Sequence, residues 1–388
     1  MIERKVAILS HKYHVREKYG FKVKGGFQNL TNEIARHYCS VNLCVPVAED
    51  GGGQGEAYRD NIEVTPLPAF QGRGELLNNL PEVASIMWGV IRESDIVYCM
   101  GPNDVGVLGM LLARLGGKRM FASLDTDRAG NVLRRSYSKL AKTVKYYINT
   151  HCLYPLIKFL CKDVPVFVTG DMFMRSYGPW TQWVKTTLQK DEMPPLNKKD
   201  VERGKEPFHV VFAGRLSPVK NLRRLIRAVD KLHTRDRSIR CTVIGSGKLR
   251  TELEQLANSL DASIEFPGQI QNRKLIESRF LGGDVLVLPS LEERQGKVLL
   301  EAMACSVPVV ASDAGGIPSV IEDGVNGILC DPYSVEDIAQ KISRVMQDPE
   351  LRERLVQNGY EYATSHALDV EVDRLMNRVA KHYGLALS

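Results

Sequence analysis

Residues 288–312 read Leu-Pro-Ser-Leu-Glu-Glu-Arg-Gln-Gly-Lys-Val-Leu-Leu-Glu-Ala-Met-Ala-Cys-Ser-Val-Pro-Val-Val-Ala-Ser. An apolar strand end leads into a loop containing Gly296, a helical stretch over 298–305 and a second apolar run at 308–312. Strand, loop, helix and strand in that order form the repeating unit of a parallel sheet. The alternation extends outward in both directions. Apolar runs at 6–10, 42–47, 95–100, 119–124 and 164–169 read as buried strands of one sheet, with helices expected over 29–38, 108–115 and 132–150. A second series follows at 210–213, 241–245, 264–266, 284–289, 308–312 and 327–329, interleaved with helical patterns such as 222–232 and 249–260. Helical periodicity resumes over 335–346, 350–364 and 370–383. Between the two series, 183–207 is polar and contains Pro194-Pro195, Lys198-Lys199 and Gly204. The expected fold class is therefore α/β, with two doubly wound domains at 1–190 and 206–365 and a C-terminal helical segment, 366–388, that packs back on the first.

The 388 residues are 44% hydrophobic and 25% charged, which excludes a disordered chain, a collagen and a coiled coil. The net charge of +6 is unevenly placed. Residues 1–200 hold 27 basic and 20 acidic side chains, whereas 201–388 hold 25 and 26. Between Arg114 and Lys162 eleven basic residues face only Asp125 and Asp127. A nucleic-acid binder is more often basic throughout, with aromatics interleaved for stacking, so no nucleic-acid partner is expected. The basic stretch 128–162 mixes Lys and Arg with Tyr and aliphatic residues. That mixture fits an anionic membrane surface and equally a solvated helix face. The eight cysteines show no C-x-x-C spacing and suit buried thiols in a reducing compartment. The longest uncharged apolar stretch, 105–113, ends at Arg114, and the first residues carry too short an apolar core for a signal peptide. A cytoplasmic protein is expected, with any membrane contact peripheral and on the inner face.

In the quoted run, Glu293 lies in the loop and Glu301 in the helix, with seven residues between them. Backbone N–H groups of Gln295, Gly296, Lys297 and Val298 at a helix start lack intrahelical acceptors and form a ready anion site. Two glutamates at that spacing are, alone, more often solvated side chains beside an ordinary helix start. The flanking residues decide otherwise. Pro289, Ser290, Glu293, Gly296, Leu300, Glu301, Ala302, Met303, Ala304, Pro308, Val309 and Val310 match the signature run of retaining nucleotide-sugar glycosyltransferases of the GT-B fold, and the segment resembles glycosyltransferase family 4 in particular. Residues 315–327, Gly-Gly-Ile-Pro-Ser-Val-Ile-Glu-Asp-Gly-Val-Asn-Gly, continue the resemblance, which covers most of 208–350 and is a matter of pattern over 1–200. It implies two Rossmann-like domains facing across a cleft and transfer of a sugar from a nucleotide-diphosphate-sugar donor to an acceptor hydroxyl. It also implies no cofactor and no metal, with Glu301 on the ribose hydroxyls and Glu293 on those of the sugar.

Residues 210–221, Val-Val-Phe-Ala-Gly-Arg-Leu-Ser-Pro-Val-Lys-Asn, run from a strand into a turn that presents Arg215 and Lys220. Two cations beside a ligand crevice suit a diphosphate, on which charge builds as the glycosidic bond breaks. The resemblance assigns them that role. The turn after 241–245 lacks the third glycine of a dinucleotide fingerprint, and Leu249 replaces the Ser or Thr of a P-loop. In the resembled family this turn, with Gly245, and the next, with Gln269, border the nucleobase; purely structural turns explain them equally well. Gly25 and Gly26 precede the first helix and let backbone approach a phosphate there. Asp125-Thr-Asp127 has the form of a metal motif, but its setting after a Rossmann-like strand argues against a metal. Relatives often carry a His at this point and none occurs here, so Asp125 is the candidate to position the acceptor hydroxyl. His11 and His14, in the loop after the first strand, either reach the cleft or, more simply, are incidental. Arg294 and Lys297 depart from the usual Gly and apolar residue, either to meet an acidic sugar or an extra phosphate or, more simply, to face solvent. Two alternatives stay open: a sugar-nucleotide epimerase of the same fold and a non-catalytic nucleotide-sugar-binding protein.

Overall fold

The computed structural model describes residues 2–23, 26–49, 57–70, 73–125, 143, 147–169, 180–196, 207–235, 239–270 and 282–386. Two compact units divide the chain, Met1–Trp183 with Glu371–Ser388, and Val184–Val370. The second unit begins before residue 206 because Val184, Leu188 and Met193 of the polar connection are buried in its core.

The first unit contains β1 (Ile2–Leu9), β2 (His14–Arg16), β3 (Phe21–Val23), α1 (Phe27–Ala35), β4 (Tyr38–Glu49), β5 (Ile62–Leu67), α2 (Arg73–Asn78), α3 (Leu80–Glu93), β6 (Ile96–Gly101), α4 (Asp104–Leu115), β7 (Arg119–Leu124), α5 (Tyr154–Leu160), β8 (Val166–Val168) and β9 (Thr181–Gln182). Its sheet runs β3-β2-β4-β1-β6-β7-β8-β9, with β5 also paired to β4. Among the described residues only the β2–β3 hairpin is antiparallel. The central strands read as unbroken apolar runs because both faces are covered, and every residue of β6 is buried. Helix α1 stops at Ala35, short of the expected 38, because Tyr38 opens β4. The elements β2, β3, β5, α2, α3, α5 and β9 have no counterpart in the sequence reading, and most of the expected helix at 132–150 lies outside the described residues. Helix α3 buries Val83, Met87, Val90 and Ile91, a stripe at helical spacing. Helix α4 is capped by Asn103, whose side chain accepts from the Gly106 N–H at 2.8 Å. A Cβ at Gly106 would lie 2.3 Å from the Met100 carbonyl oxygen, so this helix seats directly on β6.

His14 is fully enclosed by Phe21, Phe27 and Tyr58. Its Nδ1 donates to the Lys12 carbonyl at 2.7 Å, and its Nε2 accepts from the Tyr58 hydroxyl at 2.6 Å. That pattern belongs to a neutral structural imidazole. The C-terminal helix α11 (Leu368–Tyr383) adds its residues from Glu371 onward to this unit. There the Tyr383 hydroxyl donates to the Met120 carbonyl at 2.6 Å, and Asp373 meets His37 at 3.0 Å.

The second unit contains β10 (Phe208–Ala213), α6 (Leu222–Arg235), β11 (Ile239–Ile244), α7 (Arg250–Asn258), β12 (Ser263–Gly268), β13 (Val285–Leu288), α8 (Lys297–Ala304), β14 (Val309–Ser312), β15 (Ile328–Cys330), α9 (Val335–Gln347) and α10 (Pro349–Ser365). The sheet order is β12-β11-β10-β13-β14-β15 and all its pairings are parallel. This is the doubly wound order 3-2-1-4-5-6. Helix α6 turns Leu222, Leu225, Ile226, Val229 and Leu232 into the core and Arg223 and Arg227 outward. Ser334 caps α9 through the Asp337 N–H at 3.0 Å, and Asp348 caps α10 through the Leu351 N–H at 2.9 Å. Cys44, Cys99, Cys161, Cys241, Cys305 and Cys330 are buried, while Cys39 and Cys152 are exposed. Burial pushes the thiols of Cys44, Cys161, Cys241 and Cys330 up to about 12.

His209 repeats the arrangement of His14: Nδ1 donates to the Gly282 carbonyl at 2.7 Å and Nε2 accepts from Thr242 Oγ1 at 2.8 Å. Desolvation lowers the pKa of both imidazoles below 6.5, against a smaller opposing effect of those carbonyls. The unfolded chain therefore binds protons that the folded chain refuses. Stability from these groups is complete above pH 6.5 and falls below it by up to about 1.4 kcal/mol per pH unit per histidine. Urea unfolding at pH 7.5 and 5.5 will show this loss. The His14→Gln, His209→Gln double variant, though less stable at pH 7.5, is expected to lose less between the two pH values.

Candidate active site

Strands β10 and β13 are neighbours although β11 and β12 lie between them in the chain, and the crossovers depart to opposite sides. The carboxyl ends of two such strands flank the crevice where doubly wound sheets hold ligands. From β10 the chain passes through Gly214 to Ser217 into a tight turn at Pro218–Lys220. Asn221 follows with φ 58°, a left-handed conformation that Asn tolerates better than most residues. Its buried amide donates to the carbonyls of Pro289 at 3.0 Å and Pro332 at 2.7 Å. Leu291 N–H donates to the Val219 carbonyl at 2.8 Å. The turn after β10 and the loop after β13 are thereby one hydrogen-bonded body. Across it, the Lys220 ammonium pairs with the Glu293 carboxylate; the side chains are 18% and 20% exposed, so water screens the pair only in part. The Lys220 stem runs over Gly214, where an added Cβ would lie 3.8 Å from its Cε.

Glu293 is held from beneath. Its carbonyl accepts from the Gly316 N–H at 2.8 Å, and a Cβ at Gly315, whose φ is 61°, would lie 2.2 Å from that carbonyl oxygen. Gly296, with φ 65°, opens α8 and leaves the first-turn amides of Lys297 and Val298 where the helix supplies no acceptor. The Gln295 side chain is buried, and its Oε1 accepts from the Lys185 N–H at 3.0 Å. Glu301 Oε1 lies 3.5 Å from the Thr187 hydroxyl. Arg215 and Arg294 are exposed, and Lys297 is half-buried. The Arg215 guanidinium makes no ion pair or hydrogen bond among the described residues. Ser290 Oγ, at the foot of the loop, is buried with no hydrogen-bond partner there, an orphan of the kind that a ligand or water completes.

The turn after β11 contains glycine for reasons of packing. A Cβ at Gly245 would stand 1.8 Å from the Gly214 carbonyl oxygen, and one at Gly247 would stand 2.2 Å from that of Leu216. Gly245 N–H donates to Gly268 O at 2.9 Å, and exposed Gln269 accepts from the Ser246 hydroxyl at 3.0 Å. In the first unit Gly26 caps α1 with φ 67°, and Asp125 directly follows β7 with its N–H on Gly101 O at 3.1 Å. Gly25 and Asp127 lie outside the described residues. Among the described residues no group of three His, Cys, Asp or Glu side chains forms a metal site.

Of the sequence candidates, Lys220 and Glu293 are in contact. Gln295, Gly296, Lys297, Val298 and Glu301 follow in one loop and helix, and Arg215, Gly245 and Gln269 stand on neighbouring loops at the same sheet edge. Asn221, Gly315, Gly316 and Thr187 received no role from sequence. Asn221 had a signal in the preference of Asn for left-handed helix junctions, whereas Thr187 had none.

The fold is that of the GT-B glycosyltransferases. Sucrose-phosphate synthase from Thermosynechococcus elongatus has a TM-score of 0.70 at 16% identity, over 98% of this chain and 100% of that one. HepE of Anabaena in complex with UDP has a TM-score of 0.69 at 17% identity, over 98% and 99%. Residues 195–362 match the family model described as glycosyl transferases group 1. Alpha-D-kanosaminyltransferase of Streptomyces kanamyceticus is 34% identical over 169 residues, which is 43% of this chain and 44% of that protein. Sulfoquinovosyl transferase of Arabidopsis thaliana is 38% identical over 147 residues, 37% of this chain and 28% of that one. D-inositol 3-phosphate glycosyltransferase of Thermomonospora curvata is 31% identical over 183 residues, 44% and 42%. The chain thus spans less than half the length of these relatives.

Replacing Asn221 by Ala leaves two proline carbonyls without their donor and places a Cβ residue at positive φ without the compensating amide. Denaturant unfolding should record a loss of about 2–3 kcal/mol. Asn221→Gly, which relieves the strain alone, should lose less.

Proposed function

We propose that the chain is a glycosyltransferase that moves a sugar, with retention at the anomeric carbon, from a nucleotide-diphosphate-sugar donor to an acceptor hydroxyl. The observation that carries this reading is the Lys220–Glu293 pair at the switch point of a doubly wound sheet, inside the segment that matches the family model. In this reading Lys220 is held ready by Glu293 and exchanges that partner for the incoming diphosphate, assisted by Arg215. Glu293, released, accepts hydrogen bonds from sugar hydroxyls. The amides at Gly296, Lys297 and Val298 add donors to the same anion. Glu301 takes the ribose hydroxyls, and Gly245, Gln269 and Gln295 line the nucleoside side. The proposal extends to the first unit, with Gly25 and Gly26 on the donor and Asp125 on the acceptor. The bond from the anomeric carbon to the diphosphate breaks with its electron pair on the phosphate. The acceptor oxygen bonds to the same face, and its proton passes to the departing diphosphate. No metal has a role in this scheme. HepE has been solved with UDP and with UDP-glucose, so UDP-sugars are the first donors to test.

Mass spectrometry of a nucleotide-sugar library incubated with the protein will reveal the donor as slow release of nucleoside diphosphate and free sugar. With that donor, Lys220→Ala and Glu301→Ala should lower turnover about a hundredfold or more at unchanged melting temperature. Unchanged turnover in both overturns the assignment.

An anionic lipid surface is proposed as a second partner, met by the first unit. Helices α4 and α5 pack together, with Arg114 Nε donating to the Leu160 carbonyl at 2.8 Å. They leave Leu115 70% and Phe159 73% exposed, with Leu111 and Leu156 also exposed. Lys158 and Lys162 stand exposed alongside. Apolar side chains ringed by cations suit the headgroup boundary. No helix of the described residues is long and apolar enough to cross a membrane. Flotation with phosphatidylglycerol vesicles should recover the protein, and Phe159→Ser with Lys158→Glu should abolish recovery. Equal recovery on neutral vesicles would remove this partner.

A further inference from the structure

Beside the Lys220 turn, on the flank of α6, the second unit has an open recess of about 350 Å³. Arg223, Arg224 and Arg227 border it on one side, and Leu249, Leu291 and Val335 supply apolar wall. Its volume lies in the range of small-ligand sites. No carboxylate among the described residues lines it. The three guanidinium groups differ in their engagement. Arg223 is paired with Glu252. Arg224 donates to Asn221 Oδ1 at 2.8 Å, and its guanidinium lies 5.8 Å from the centre of the exposed Tyr333 ring. Arg227 is exposed and makes no ion pair or hydrogen bond among the described residues. Three cations at spacings of one, three and four residues repel one another on a helix surface, a cost that one glutamate offsets only in part. An anion seated between them removes it, and guanidinium geometry favours phosphate. The apolar wall and the Tyr333 ring then face the carbon skeleton to which that phosphate is attached.

We propose that this recess binds a small phosphate monoester, at a site separate from the Lys220–Glu293 pair. Neither Lys220 nor Glu293 lines it, yet it adjoins both of their loops. Leu291 belongs to the loop of Glu293, and Pro218, also in the wall, opens the turn that ends in Lys220. A ligand here rests on the hydrogen bond from Leu291 N–H to the Val219 carbonyl that joins the two loops.

The test is calorimetric titration of the full chain with phenyl phosphate, which combines one phosphate with a flat apolar group, and with benzyl alcohol as the uncharged control. The wild-type protein and Lys220→Ala should bind phenyl phosphate alike and ignore benzyl alcohol. Arg224→Ala with Arg227→Ala should weaken binding at least tenfold, and Arg227→Lys, which keeps the charge but loses the fork, should fall between. Unchanged melting temperatures confirm that the variants fold. Absence of binding to the wild type, equal binding by the double arginine variant, or loss of binding in Lys220→Ala alone each overturns the proposal. The readout is binding rather than sugar transfer, so its failure leaves the proposed glycosyltransferase activity untouched, and the reverse also holds.

Discussion

Val210 and Val211 of β10 lie in parallel register with Val285 and Leu286 of β13, so both strands end at one edge of the sheet although two further strands separate them in the chain. The pairing is buried and apolar throughout, and its backbone groups have no other route to satisfaction. Its consequence is a pair of loops that leave the same edge side by side. Asn221 and Leu291 then lock these loops through three hydrogen bonds to the Pro289, Pro332 and Val219 carbonyls. Lys220 and Glu293 are brought together by this frame. A slip of one residue in the register would turn the strands' side chains over and separate the loops.

A half-buried pair of this kind contributes little net stability, because desolvation consumes most of the attraction. Its value lies in poise. Glu293 holds the Lys220 ammonium in one orientation within a partly dry crevice, and in the proposed reaction an entering diphosphate takes its place as the partner. The glycines around the pair serve close approach. At Gly245, Gly247 and Gly315 the neighbouring carbonyl stands within 2.2 Å of where a Cβ would be, so loop backbones stack where side chains otherwise separate them. The same residues that resemble a ligand-binding pattern in sequence thus have a packing duty in the structure.

The second unit was the more readable part of the chain. Its strands are short, buried on both faces and separated by strongly amphipathic helices, so apolar runs and helical periodicity mark every element close to its ends. In the first unit the same reading finds β1, β4, β6, β7 and β8 but passes over β2, β3, β5 and β9. His-Val-Arg and Phe-Lys-Val are too short for a period, and β5 carries Pro66 and breaks its alternation at Val64 and Thr65, which are both half-buried. His14 illustrates the related limit: a histidine near the first strand reads as a loop residue until Phe21, Phe27 and Tyr58 are seen to close around it.

Sequence alone determined the alternation of strands and helices, the place of Glu293 and Glu301 on a loop and the helix it introduces, and the turn that presents Arg215 and Lys220. These are local properties, written in spacing and residue type. Tertiary structure decided which of them meet. It paired Lys220 with Glu293, turned Gln295 toward the 185 segment, moved the start of the second unit to Val184 and gathered Arg223, Arg224 and Arg227 around a recess with Leu291 and Val335. Each of these depends on strand order and on contacts between residues far apart in the chain, which no local pattern encodes.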